Sequence, residues 1–205
     1  MKAVRTQYVA RLDNDDLVTK DRFAKQVEYL KLHPEVALVS CQMVIIDEDS
    51  NVTGKMQLPH GLDIRAELLE SNVVCAGGSV YQRSAYEEAG GFDASFRKYE
   101  DYDLWLRMAF WGPVSILNEH LYLYRVRSNS GSSTFRPWER YLRVVLRRKQ
   151  ELARLLKVDA RTRRKATAGW LYWQWRAYFD KRLARAAMNA PDWVRKLGRR
   201  LARNE

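Results

Sequence analysis

Cysteine is scarce in this chain: Cys41 and Cys75 are the only two in 205 residues. They stand far apart and form no CxxC pair, which excludes a disulfide framework and a cysteine zinc site and makes a reducing cytoplasm the expected compartment. Histidine is nearly as rare. His33, His60 and His120 are isolated from one another and read as structural or exposed residues. No long hydrophobic run exists either: the longest, Val36 to Ile46, is interrupted by Ser40 and Gln42 and is too short to span a bilayer. The opening Met-Lys-Ala-Val-Arg-Thr-Gln has no apolar segment of the signal-peptide kind. Repeats and low-complexity tracts are absent. What remains is 46% hydrophobic and 30% charged, a globular chain long enough for one good core and a helical appendage.

Charge is unevenly placed. The net +11 arises almost entirely after residue 135, where 21 Lys/Arg face six Asp/Glu, whereas the preceding body is mildly acidic. Such asymmetry points the tail toward a polyanion, either an anionic membrane surface or a nucleic acid. No nucleic-acid motif accompanies it.

One acidic stretch organises the rest. Tyr8-Val9-Ala10-Arg11-Leu12-Asp13-Asn14-Asp15-Asp16 is a short β-prone run ending in three carboxylates, spaced so that a strand end and its turn can aim two of them at one point. Two aspartates at a strand end suit a hard divalent cation that keeps positions open for phosphate oxygens. The plainer alternative is a strand, a turn and an acidic helix start capped by Asp16 or Thr19. A calcium EF-hand is excluded, since Val18 stands where that loop needs glycine.

The pattern then predicts a helix carrying Leu17, Phe23, Val27 and Leu30, stopped at His33-Pro34. A strand buried on both faces follows over 36–46, a turn over 47–51, an exposed strand over 52–58 and a short helix over 64–69. A loop with Gly77-Gly78-Ser79 leads into a strand ending at Arg83. Ser84 is expected to cap a short helix that Gly90-Gly91 ends, with Phe92 dropping into the core. Leu104, Met108 and Trp111 share one face of a helix ended by Gly112-Pro113. Two strands, over 114–117 and 121–126, precede a Ser-rich loop over 128–134, the expected domain boundary. The region 135–205 reads as helical, with Trp138, Tyr141, Leu142, Val145, Leu152 and Leu156 in one stripe. A second helix over 163–188 is expected to carry Tyr172, Trp175, Phe179 and Leu183 on one face and Trp170, Trp173 and Tyr178 on others.

Two carboxylate clusters about ninety positions apart, each at the end of an element, are the constellation to explain. Together with Gly78-Ser79-Val80-Tyr81-Gln82-Arg83, Gly90-Gly91-Phe92-Asp93, Glu100-Asp101-Tyr102-Asp103-Leu104-Trp105-Leu106-Arg107 and Leu123-Tyr124-Arg125, in that order, the stretch from Tyr8 to Asp16 resembles glycosyltransferase family 2 on the GT-A fold. The resemblance covers residues 7–134. It implies an α/β fold class, a partial GT-A mixed sheet over 1–134 followed by an all-helical basic tail over 135–205.

It further implies an inverting transfer from a nucleotide-diphosphate sugar to a hydroxyl acceptor, for which a lipid-linked glycan is a candidate. Asp101 would be the base, with Glu100 beside it. Asp13 and Asp15 would hold Mn²⁺ or Mg²⁺; Asp13, Arg125 and Arg127 would meet the donor diphosphate; and Gly77, Gly78, Ser79 and Trp105 would meet the acceptor. Arg127 stands where family members often carry a metal-ligating histidine, and arginine binds diphosphate directly instead. An aspartate at a helix start is expected to be kept ionised by the helix dipole and therefore to be a weak base. Complete members of that family also carry several strand and helix units before such a strand, and only a dozen residues precede Asp13 here. The chain is expected to supply the acceptor-side part, with a partner chain or upstream sequence supplying the donor half; the alternative is a non-catalytic binding module. The expected location is cytoplasmic, peripheral at the inner face of the cell membrane.

Overall fold

The computed structural model describes residues 4–96, 99–127 and 141–172. The expected Ser-rich boundary at 128–134 and the aromatics Trp138, Trp173, Trp175, Tyr178, Phe179 and Leu183's stripe lie outside those residues. In chain order the elements are β1 (Tyr8–Ala10), β2 (Leu17–Val18), α1 (Arg22–Leu32), β3 (Leu38–Ile46), β4 (Val52–Met56), α2 (Arg65–Leu68), β5 (Val80–Gln82), α3 (Arg83–Glu88), α4 (Glu100–Met108), β6 (Val114–Arg125) and α5 (Tyr141–Leu155). A further helical run covers 160–172. Among the described residues no helix is long and apolar enough to cross a membrane.

The six strands form one mixed sheet in the order β1-β5-β3-β6-β2, with β4 also on β3. Among the described strands only β3 and β6 run parallel. Alternation along β3 supplies both faces: Leu38 joins the main core with Tyr81, Trp105 and Ile116, while Val39 joins Leu30, Val36 and Val80 on the other side. Helix α5 places Leu142, Val145 and Leu152 in the same main core as α4, so the start of the basic region packs on the body.

Several local expectations give way to tertiary packing. Leu17 opens a strand rather than a helix, because Leu17 and Val18 pair with Leu123 and Tyr122 of β6. Helix α1 then starts at Arg22 and buries Arg22, Gln26 and Leu30, leaving Phe23 39% exposed. Neither Asp16 nor Thr19 caps it; the N-cap is Asp21, with no side-chain hydrogen bond. Ser84 caps nothing, since α3 begins at Arg83. Gly90 and Gly91 do take positive φ, 77° and 67°, and end α3 as expected, but Phe92 stays 38% exposed and packs edge-on to Tyr86 instead of entering the core. Trp111 is 54% exposed. The two strands expected over 114–126 are one, because an irregularity between Leu117 and His120 lets Asn118 and Glu119 bulge out while pairing to β3 resumes. In the last helical run Trp170 is buried and Tyr172 exposed.

One buried group in this core makes a prediction. Lys149 of α5 is 2% exposed, and burial lowers its ammonium pKa to about 7, with Glu70 opposing. Its folded value lies below its unfolded one, so the native state holds fewer protons than the unfolded chain between about pH 7 and 10. Stability therefore rises with pH across that window. Lys149→Met is expected to flatten the slope and to gain on the order of 4 kcal/mol at pH 7; urea unfolding at pH 6, 8 and 9.5, as trial values about that window, measures it.

Candidate active site

The connection Arg11–Asp16 leaves β1 at one edge of the sheet and enters β2 at the other, so it must cross the strand ends between them. Each end of the crossing is anchored differently. At the β1 end the Arg11 N–H donates to Ser79 O at 2.9 Å. Beneath it lies Arg22, fully buried, whose Nη2 donates to Arg11 O at 2.9 Å and to Ser79 O at 3.3 Å, while Nε donates to Gln26 Oε1 at 2.9 Å. Gln26 in turn donates to Gly78 O at 2.8 Å. One helical turn of α1 thus ties the aspartate strand to the Gly77–Ser79 loop.

At the β2 end the buried Asp16 carboxylate accepts from Tyr122 Oη and from the Arg125 N–H, the latter at 2.7 Å. The Arg125 guanidinium donates to the carbonyls of Asp15 (2.7 Å), Asp47 (2.8 Å) and Glu48 (2.9 Å). With Nε and Nη1 on backbone, Arg125 staples the aspartate turn to the β3–β4 turn.

Asp13 and Asp15 are left on the rim of this frame. The Asp13 carboxylate lies 3.4 Å from Arg11 Nε. Gly77 sits so close beneath that an added Cβ would meet Tyr122 Oη at 1.9 Å and Asp13 Oδ2 at 3.0 Å, which leaves room only for glycine. Asp15 Oδ2 lies 3.5 Å from Arg127 Nε, and both side chains reach solvent. They open onto a cleft of about 540 Å³ lined also by Asn14, Asp16, Glu48 and Arg125. Among the described residues no three of His, Cys, Asp and Glu close around a cation. An open Asp15 carboxylate with Asp13 on the same turn nevertheless fits a hard cation that takes one or two carboxylates and fills its remaining positions with water and phosphate.

The second carboxylate pair opens α4. Tyr99 precedes it at φ 61°, left-handed backbone that is strained for a residue with a Cβ, and Glu100, Asp101 and Asp103 fill the first turn. Asp101 accepts from the Tyr102 N–H at 2.7 Å and from Asn72 Nδ2 at 3.1 Å. Burial nevertheless pushes its carboxyl above the usual carboxylate range, with Glu100 adding to the rise and Arg11 opposing it. This reverses the expectation of a dipole-stabilised, weak base: removal from water outweighs the helix start, and the result is a stronger base. Arg11 acts on both Asp13 and Asp101, so the two clusters ninety residues apart in sequence share one cation.

Three acceptor assignments change. Trp105 is fully buried against Tyr81 at 5.9 Å between ring centroids and offers no surface to an acceptor. Gly78 and Ser79 are buried too; Gly78 packs against the Cys75 and Cys41 sulfurs and Ser79 receives Arg22. Their role is to hold the β1 end. Gly77 lies under Asp13 but is itself buried. Arg125, expected on the diphosphate, lines the cleft with its Nε and Nη1 on backbone carbonyls, and Arg127 stands more open beside it. Burial raises both thiols, Cys41 to about 11 and Cys75 to about 12, so neither is a nucleophile.

Arg11, Asp16, Arg22 and Asn72 were not identified as site residues by the sequence reading. Arg22 has a local partner in Gln26 four positions on and Arg11 one in Asp13 two positions on; Asp16 and Asn72 find theirs through the fold.

The model of the family described as glycosyltransferase like family 2 matches residues 1–171. The chain is 32% identical over 123 residues to the amylovoran biosynthesis glycosyltransferase AmsE of Erwinia amylovora, covering 60% of this chain and 45% of that protein. It spans about half the length of the curated relatives it matches. Among solved structures it is similar to S. aureus TarS in complex with UDP-GlcNAc, with a TM-score of 0.60 and 14% identity over 95% of this chain and 55% of that one. It is also similar to the mannosyltransferase PcManGT of Pyrobaculum calidifontis in complex with GDP-Man and Mn²⁺, with a TM-score of 0.50 and 14% identity over 98% and 56% of the two chains. At such identity the likeness is one of fold, the GT-A mixed sheet with its helices.

Proposed function

The chain belongs to glycosyltransferase like family 2, and on that premise we propose that it takes part in an inverting transfer of a sugar from a nucleotide-diphosphate donor to a hydroxyl acceptor, in the building of a cell-surface polysaccharide. The observation that carries this reading is the open Asp15–Arg127 cleft on a turn whose Asp13 shares the Arg11 cation with a half-buried, basic Asp101. Donor phosphates in the cleft meet Arg127, which matches phosphate oxygens with a planar fork. Asp15, helped by Asp13, would hold Mn²⁺ or Mg²⁺ there; the ion supplies Lewis-acid neutralisation of the departing diphosphate.

Across the site Asp101 accepts the proton of the acceptor hydroxyl as its oxygen bonds to the anomeric carbon and the bond from that carbon to the diphosphate breaks. The Tyr102 N–H bonds one oxygen of the carboxylate and Asn72 the other, which fixes its orientation. Attack opposite the leaving group inverts the carbon. The basic region from Arg136 onward, with its 21 Lys/Arg, is proposed to hold the protein at the anionic inner face of the membrane. Binding to anionic but not zwitterionic vesicles, lost as salt rises, supports that placement; equal binding to both overturns it.

Calorimetric titration with UDP and with GDP in Mn²⁺ tests the site. The chain is expected to bind at least one of them, and Asp13→Asn with Asp15→Asn to weaken binding by about tenfold or more. Absence of binding, or equal binding by the variant, overturns a donor site in this chain and favours the non-catalytic module.

A further inference from the structure

Lys149 is buried where the fold gives it nothing to bond. Its Nζ makes no hydrogen bond among the described residues and stands 4.5 Å over the Trp170 ring. A ring face attracts a cation but does not replace its hydrogen-bonded water. Nearby, the buried Nε of Arg163 is likewise without an acceptor among the described residues. Both side chains line one cavity of about 220 Å³ between α2, α5 and the helical run 160–172.

The rest of its wall divides by chemistry. Leu69, Ala153, Val158 and Ala166 give it an apolar face, a glutamine and two threonines of the helices a polar one, and Glu67 and Glu70 stand at the exposed edge. Of these acids only Glu70 acts on Lys149, and too weakly to offset its burial. Two unmet cationic donors above an apolar floor are complementary to an anionic head on an apolar body. An inorganic anion would leave the floor empty, and a neutral apolar molecule would leave both donors unmet.

We propose that this cavity binds a small organic anion, its charged head on Lys149 Nζ and Arg163 Nε and its apolar body against Leu69, Ala153, Val158 and Ala166. The site is separate from the Asp15–Arg127 cleft and does not depend on the transfer reaction. It also gives a reason for a lysine that weakens the fold: the charge is kept for a ligand rather than for stability.

Hexanesulfonate is the probe, because its charge does not change with pH; hexanol and hexylammonium share its apolar body. Titration of the full chain by calorimetry is expected to show one site for hexanesulfonate and at least about tenfold weaker binding of the other two, the size expected when a charged hydrogen-bonded head is lost. Lys149→Met keeps the volume and removes the charge, and should cost about tenfold or more in hexanesulfonate affinity. Ala166→Leu fills the cavity without touching either cation and should abolish binding even if the lysine variant does not fold. Hexanol binding as tightly as hexanesulfonate, no binding of hexanesulfonate, or unchanged affinity in a folded variant overturns the proposal.

Discussion

Asp101→Asn is expected to reduce sugar transfer by about 10²–10⁴-fold in kcat while leaving nucleotide affinity unchanged, the range that positioned proton acceptors contribute. Asparagine keeps the shape of the side chain, its one oxygen can accept from the Tyr102 N–H, and the exposed Asn72 amide can turn over to accept from its NH2, so the loss isolates the proton-accepting carboxylate. Two further readouts separate a base from a structural aspartate. The first is pH. Burial raises the Asp101 pKa, and the base works only as carboxylate, so wild-type rate falls as pH drops through a value above the ordinary aspartate value of about 3.9. The second is stability. A carboxyl with a raised folded pKa binds its proton more readily in the native state, so its contribution to stability is lost as pH rises through that value. The asparagine variant should therefore be no less stable than wild type at neutral pH. Full transfer by the variant, or a variant that unfolds at lower urea than wild type at pH 7, would remove Asp101 from the role of base.

Arg22→Met is expected to have the largest effect on stability, a loss on the order of 3–5 kcal/mol in urea unfolding, as when a buried charged donor is removed and its acceptors are left short of partners. Methionine fills much of the space but donates nothing. The carbonyl of Arg11 loses its Arg22 donor, Ser79 O keeps only the Arg11 N–H, and Gln26 Oε1 is left unmet. Lysine cannot substitute, because its single ammonium does not reproduce a planar fork aimed at three acceptors. The same change loosens the end of β1 against the Gly77–Ser79 loop, where Asp13 is held, so nucleotide binding should weaken in the fraction that remains folded. A loss within 0.5 kcal/mol, the ordinary range for a surface change, would mean that this clamp is dispensable.

These predictions differ in how far they could be read from the chain. The acidic turn, the double-faced strand β3, the exposed β4, the glycine stop at Gly90-Gly91 and the acidic first turn of α4 were all legible, because each rests on spacing within a dozen residues. The apolar stripe of α5 was legible for the same reason at Leu142, Val145 and Leu152. Where a residue's partner lies far along the chain, local reading misplaced it. Phe23, Val27 and Leu30 look like the inner face of α1, yet Arg22 and Gln26 face inward with Leu30, since their acceptors on Arg11, Gly78 and Ser79 lie on neighbouring segments. Trp105 follows an acidic motif and looks available to a ligand, but its turn of α4 faces Tyr81 and the core.

By itself the sequence determined the residue types of the chemistry and their order: carboxylates at the end of β1, glycines before β5, carboxylates at the start of α4, a Tyr-Arg pair closing β6. Side-chain period and turn chemistry act over a few residues, and that is enough to set each element and the groups at its ends. Only the tertiary structure decided which of those groups face one another and in what charge state. It set Arg11 to act on both Asp13 and Asp101, tied Arg125 to backbone carbonyls at the cleft wall and left Arg127 open. It also took Asp101 and Lys149 far enough from water to move their protons, because desolvation depends on what the whole chain packs around a group and not on the residues beside it.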